Sequence, residues 1–560
     1  MKSKTVPVVV VAVSAVVAVV VASVAVWFVM SGQMGGEPSE ATEPVAGERQ
    51  LRDPVREARG EPRVVLIAMD GVGGDELAGA LDEGRMPRLQ QFLGEHVGDG
   101  TYAHAYLTTE AMSTLPSTTM AAWSTVFTGV NPAEHGVPGN EWFAREQRLF
   151  YAPAPVSVEG HSDTIAMLND DLLGAVLDAE TLYERADVRS HVALAPVYRG
   201  ADRLGMPGAK EVAKLFEGST GDESAEQSAY RAVDEGAVDA VIDTIDAHGL
   251  ADLQVVYFPG IDLFTHVAER PLESMRDYLQ EVVDPAVGRI IDAYAERHGL
   301  EQTHFVFVSD HGHTPVPHDD EHALGSGDEG EPPALLEEAG FRVKEPGVGR
   351  DEGDYQSVVA YQGAMAYIYL ADRSTCPEEG DSCDWNAPPR LDEDVLPVAR
   401  AFFEADRSGK ALPEMRDSLE LVLARQPRPT TEDALPFEVF DGDKLVPIDA
   451  YLEREPMEHF LRFEERMAEL AKGPRGHRAG DVLLIARSGA SHPLADRYYF
   501  SRPYHSWHGS AEAQDSHVPL LVARKGADGA QLREFVEGQT AAVPSLKDIT
   551  PLVLQLLKAE

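Results

Sequence analysis

The chain has 560 residues, 43% of them apolar and 25% charged, which excludes disorder for its bulk and suits one large domain with attachments. Against 94 Asp and Glu stand 48 Lys and Arg, a net charge of −46, so a general nucleic-acid-binding protein is disfavoured and an anionic substrate needs cations at its site. The two cysteines, Cys376 and Cys383, rule out a disulfide scaffold and a cysteine-based zinc site. A short-loop disulfide is expected in an oxidising compartment, with two free thiols as the alternative.

In chain order, Lys2 and Lys4 precede a largely apolar segment, Pro7 to Met30. At about 1.5 Å per helical residue it reaches across a hydrocarbon core of roughly 30 Å. Residues 1–30 are therefore read as a membrane anchor with its N-terminus in the cytoplasm, a cleaved signal peptide being the alternative. Residues 31–62, rich in Gly, Glu, Pro and Ala, read as a flexible linker, and residues 63–560 as the main folded domain. Apolar runs then recur: VVLIAM (64–69), VALAPV (192–197), LQVVYF (253–258), FVFVS (305–309), VLLIA (482–486) and PLLVA (519–523). Runs without alternation are what strands buried on both faces look like. Helical spacing appears between them: Tyr230, Val233, Ala237, Val241 and Ile245 in one segment, Tyr278, Val282, Val287, Ile290 and Tyr294 in another. The expected fold is α/β, a largely parallel sheet sandwiched by helices. Residues 315–480 break the rhythm and read as an inserted cap region.

Polar residues that follow apolar runs mark the carboxyl ends of strands, where ligands bind in open α/β sheets. Asp70 follows the first run, Asp310 and His311 follow FVFVS, and Asp262 and His266 follow LQVVYF after a short connector. Asp262 and His266 are one helical turn apart. Each feature alone reads as a cap, a turn or a surface pair. Together, at three strand ends, carboxylates and imidazoles without thiolate form a ligand set for zinc, manganese or iron. Thr119, preceded by Pro116–Thr118, is expected at a helix N-terminus, where unpaired N–H groups favour an anion or a developing alkoxide. His135, His313, His505 and His517 are given no role. The acidic run from Asp319 to Glu331 lacks calcium-loop spacing and reads as a solvated loop.

Together, VVLIAMDG, PSTTMAAWSTVFTGVNPAEHG, DLQVVYFPGIDLFTH, FVFVSDHGHT and WHGSAEAQDSHVPLL resemble the alkaline phosphatase superfamily, above all its type I phosphodiesterase/nucleotide pyrophosphatase branch. The motifs stand in that family's order from Asp70 to Pro519. The resemblance implies two divalent ions, zinc expected ahead of manganese. One would be held by Asp70, Asp310, His311 and the nucleophile Thr119, the other by Asp262, His266 and His508. It also implies that Asn140 holds a phosphoryl oxygen. Ala122 stands where some members carry a further Asn, and Val197 where monoesterase relatives carry a Lys; Arg199 of that segment is kept as a phosphate contact. With that lysine missing, a diester fits better than a doubly charged monoester.

The implied activity is hydrolysis of phosphodiester or pyrophosphate bonds through a phosphothreonine on Thr119. An alkaline phosphatase acting on monoesters and an inactive exported binding protein are the alternatives. The expected partners are a small phosphate ester or nucleotide and, through the N-terminal helix, a membrane. The catalytic domain is expected outside the cytoplasm, in the cell envelope.

Overall fold

The computed structural model describes residues 47–154, 156, 172–208, 223–325, 331–345, 347, 349–351, 353–429 and 433–559. The apolar segment 7–30 lies outside them. Among the described residues, no helix is long and apolar enough to cross a membrane.

Among the described residues a ten-stranded mixed sheet runs through the fold. Its centre is parallel: Arg203–Gly205, Ser190–Ala193, Leu253–Phe258, Arg63–Met69 and Thr303–Ser309 lie side by side in that order. Every residue from Val64 to Met69 is buried. Val64, Leu66 and Ala68 face one apolar layer, and Val65, Ile67 and Met69 face the other. Helices supply both layers. Thr119–Thr128 and Ile549–Leu556 cover one face; Glu223–His248, Pro271–Tyr278 and Asp284–Glu296 cover the other. Both segments expected to be helical are so. In the second the helix widens over Leu279–Val283, just before Pro285, which has no N–H to continue the ladder.

Three expectations need correction. The sheet is not largely parallel, because His517–Ala523, which contains PLLVA, pairs antiparallel with both Thr303–Ser309 and Ala105–Met112. VLLIA is not in this sheet at all. Val482–Ala486 belongs to a second, antiparallel sheet of six strands with Ser357–Tyr361, Met365–Leu370, Leu419–Ala424, Glu438–Phe440 and Leu445–Pro447. An unbroken apolar run reports burial on both faces, and both sheets offer that. The expected linker also does not extend to residue 62: Glu48–Gln50 forms an edge strand on Arg203–Gly205, and Arg56 pairs with the buried Asp202.

Most of the second sheet comes from the 315–480 stretch. One of its faces, including Tyr367, Tyr369, Leu421 and Leu423, joins the apolar cluster that holds Trp123 and Phe127. The two sheets thus share a core. Cys376 and Cys383 are joined in a disulfide.

Candidate active site

Three parallel strands end level. Phe258 pairs with Met69, and Met69 with Ser309, so the residues that follow them, Asp70 and Asp310, emerge at one rim. The third strand continues through Pro259 into the helix Gly260–Val267, which carries Asp262 in its first turn and His266 in its last. Gly71 turns the chain away with φ of +72°; a Cβ there would meet His313 Nε2 at 2.7 Å and Asp262 Oδ1 at 2.8 Å. The Asp-Gly pair is thus a packing requirement as well as a turn.

Asp70, Asp310 and His311 place one ligand atom each within 4.8 Å of one another, and all three are buried. Trp123 Nε1 donates to Asp70 Oδ2 at 3.3 Å, and the Tyr257 hydroxyl donates to the same oxygen. Asp310 Oδ1 accepts the backbone N–H groups of Gly71 and His311, each at 3.0 Å. The other oxygens, Asp70 Oδ1 and Asp310 Oδ2, are buried without a donor among the described residues. Instead they face His311 Nε2 at 3.5 and 3.3 Å. Burial, together with the charges of Asp310 and Asp262, pushes the Asp70 carboxyl well above its usual range. Burial pushes Asp310 up to about 8.

Asp262, His266 and His508 form a second group, again within 4.8 Å. His266 Nε2 lies 3.5 Å and His508 Nε2 3.9 Å from Asp262 Oδ1. The His311 and His508 rings stack with centroids 3.5 Å apart, so the two groups adjoin. Burial raises Asp262, but the imidazoles of His266, His313 and His311 outweigh it and hold the carboxyl far below the ordinary range. Burial lowers His266 to about 4 and His311 to about 3, and takes His508 well below its usual value. These three rings are therefore neutral at pH 7.

Their tautomers follow from their partners. Nδ1–H of His266 donates to Ser506 O at 2.8 Å, that of His311 to Gly312 O at 3.1 Å, and that of His508 to Ser117 O at 3.0 Å. A carbonyl can only accept, so each Nε2 carries a lone pair, and each points at a carboxylate oxygen. Lone pairs facing lone pairs in a buried site are held together either by a shared proton, which the raised Asp70 and Asp310 carboxyls can supply, or by a cation that displaces it. The donor set, the outer carbonyls that orient each ring and the two donorless oxygens all fit divalent ions. The largest influences on the three carboxylates are burial, one another, histidines and hydrogen bonds; no Lys or Arg is among them.

Thr119 opens the helix Thr119–Thr128 after the extended Thr118. Its Oγ1 lies 3.3 Å from His311 Nε2. Asn140 joins it from the chain beyond that helix, its Oδ1 accepting the Met120 N–H at 3.0 Å. The expected ligands and Thr119 are thus brought together, with Asn140 beside them. Arg199 is not. Its Nε donates to Glu184 Oε1, Nη1 to the carbonyls of Gly174 and Leu177, and Nη2 to Ala179 O and Glu184 Oε2. All five N–H groups are spent on the 174–184 segment, so Arg199 is a structural clamp and not a phosphate contact.

His313, given no role from sequence, sits in the site: its Nε2 is 2.8 Å from Asp262 Oδ1, and with Asp262 and His311 it forms a third possible ligand group. The histidine was visible in DHGH, but its aim depends on Ser506 Oγ, 3.0 Å from Nδ1 and nearly two hundred positions away. Tyr257 and Trp123, which orient Asp70, carried no signal beyond apolar residues in a strand and a helix.

A sequence-family profile described as type I phosphodiesterase / nucleotide pyrophosphatase matches residues 64–369, more than half of the chain. Comparison with curated protein sequences returned no match. Among solved structures, human ectonucleotide pyrophosphatase / phosphodiesterase 5 is similar with a TM-score of 0.50 at 13% identity, over 89% of this chain and 95% of that one. The murine ectonucleotide pyrophosphatase / phosphodiesterase 5 gives 0.49 at 13% identity over the same shares. The human likeness speaks for the fold.

Proposed function

Because the chain belongs to the type I phosphodiesterase / nucleotide pyrophosphatase family, we propose that it hydrolyses phosphodiester or pyrophosphate bonds at the Asp70–His508 site with Thr119 as nucleophile. The observation that carries this reading is the set of three imidazoles and three carboxyl groups whose ligand atoms converge beside the Thr119 hydroxyl. Asp70, Asp310 and His311, with Thr119, would hold one divalent ion, and Asp262, His266 and His508 the other; zinc suits these nitrogen and oxygen donors, and manganese is the second choice. Such ions supply charge neutralisation, a lowered pKa for a hydroxyl beside them and stabilisation of the attacking and leaving oxygens.

The residues of the chain do the rest. Thr119 Oγ, once deprotonated, attacks phosphorus; the Oγ–P bond forms, the bond to the leaving oxygen breaks, and that oxygen takes a proton from solvent. Water then attacks the phosphothreonine, breaks the Oγ–P bond and returns the proton to Oγ, so configuration at phosphorus is retained overall. Asn140 Oδ1 is committed to the Met120 N–H, which leaves its amide NH2 to hold a non-bridging oxygen at the helix N-terminus. Val197 supplies no cation and the Arg199 guanidinium is committed to Glu184 and carbonyls, which favours the singly charged diester. The Cys376–Cys383 disulfide supports an oxidising compartment, hence export behind the N-terminal apolar segment.

Thr119→Ala tests the reading, with bis(4-nitrophenyl) phosphate as substrate and 4-nitrophenyl phosphate as the monoester control. Turnover of the diester should vanish while metal content, measured by elemental analysis, stays near that of the parent. Full activity in this variant removes Thr119 from the reaction, and a faster monoester reaction in the parent moves the protein to the monoesterase reading.

A further inference from the structure

Gln362 lies at the tip of the hairpin formed by Ser357–Tyr361 and Met365–Leu370 in the second sheet, and it is completely buried. Its Oε1 accepts the Asn140 N–H at 2.7 Å, and its Nε2 donates to Glu141 O. Its own N–H closes the hairpin on Met365 O at 2.7 Å. The neighbouring Tyr361 N–H donates to the Glu141 carboxylate at 3.2 Å. A Cβ at Gly139 would lie 2.0 Å from Gln362 Oε1, so the backbone ahead of Asn140 runs directly against this amide. The other side of the tip grips a second arm of the site. Ala364 N–H donates to His508 O at 3.1 Å, and a Cβ at Gly363 would meet that oxygen at 2.3 Å.

We propose that Gln362 is a positioning residue for phosphoryl transfer, setting Asn140 against the nucleophile helix so that its amide meets the transition-state oxygen. The inference rests on the proposed function. Asn140 is held at two points: Oδ1 on Met120 N–H, from the helix that begins with Thr119, and backbone N–H on Gln362. Two fixed points define the amide plane and direction, and donors aimed at developing charge act through such preorganisation. The second sheet thereby enters the chemistry without touching substrate, through one side chain on Asn140 and one backbone bond on His508.

The experiment is a double-mutant cycle in the full chain, Gln362→Met with Asn140→Ala, on bis(4-nitrophenyl) phosphate. Methionine keeps the volume and removes both hydrogen bonds; Gln362→Leu, which also removes both, runs the same cycle should the first variant not fold. In the parent background Gln362→Met should lower kcat by roughly ten- to a hundredfold, with KM and metal content changed by less than about twofold. In the Asn140→Ala background the same change should cost less than about twofold more. Equal losses in both backgrounds, with Asn140→Ala itself slow, overturn the positioning role and leave the function intact. An Asn140→Ala variant as fast as the parent overturns both the positioning role and the assignment of Asn140.

Discussion

Asp70 Oδ1 and Asp310 Oδ2 are buried oxygens with no donor among the described residues, and each such group costs about 1–3 kcal/mol, more when charged. Burial raises both carboxyls, so each can keep a proton there, and a bound cation would displace that proton. Arg199 shows the opposite condition, a cation whose every N–H already has a partner. Its replacement by Met should therefore leave kcat/KM on the diester within about threefold of the parent. It should also cost about 1–3 kcal/mol of stability by freeing the carbonyls of the 174–184 segment. Denaturant unfolding and steady-state kinetics on one preparation separate the two effects; a hundredfold loss of kcat/KM with unchanged stability would return Arg199 to the phosphate.

At the scale of elements, the helix Gly260–Val267 aims both Asp262 and His266, and its start is fastened from behind. Asp234, on Glu223–His248, accepts the Gly260 N–H at 2.9 Å and the Tyr278 hydroxyl at 2.8 Å. Burial pushes this carboxyl up to about 7, against the two hydrogen bonds. The folded state thus holds a proton on Asp234 that the unfolded chain has already lost at that pH. The stability this contributes is complete below about pH 4 and is lost as pH rises through about 7. Asp234→Asn mimics the protonated form at all pH values. In urea titrations the variant should gain on the parent steadily from pH 5 to pH 8 and hold a constant margin above that; a margin independent of pH would show that Asp234 does not titrate in this range.

Across the whole molecule, the site draws on segments from Asp70 to His508, and the second sheet shares an apolar core with the first. Ions bound to the folded state alone stabilise by mass action, about 4.1 kcal/mol at a free concentration a thousand times Kd. Chelation should therefore lower the Tm of the whole cooperative unit and abolish diester hydrolysis, and added zinc or manganese should restore both. Thermal scans with and without EDTA check this. An unchanged Tm together with unchanged activity would remove the ions from the proposal.

Much of this was legible one-dimensionally. VVLIAM followed by Asp70, LQVVYF followed by Asp262 and His266, and FVFVS followed by Asp310 and His311 carry both the buried strand and the candidate ligand at its end, because burial on two faces and the identity of the next side chain are local properties. The sequence by itself therefore determined which runs are buried strands and which side chains stand as candidate ligands at their ends. Only the tertiary structure decided that His517–Ala523 runs antiparallel, that Val482–Ala486 serves the second sheet, that Arg199 is consumed by Glu184 and three carbonyls, and that Gln362 reaches Asn140. Strand direction, sheet membership and hydrogen-bond partners depend on which distant segment is packed alongside, and a run of apolar residues records that something covers it without recording what.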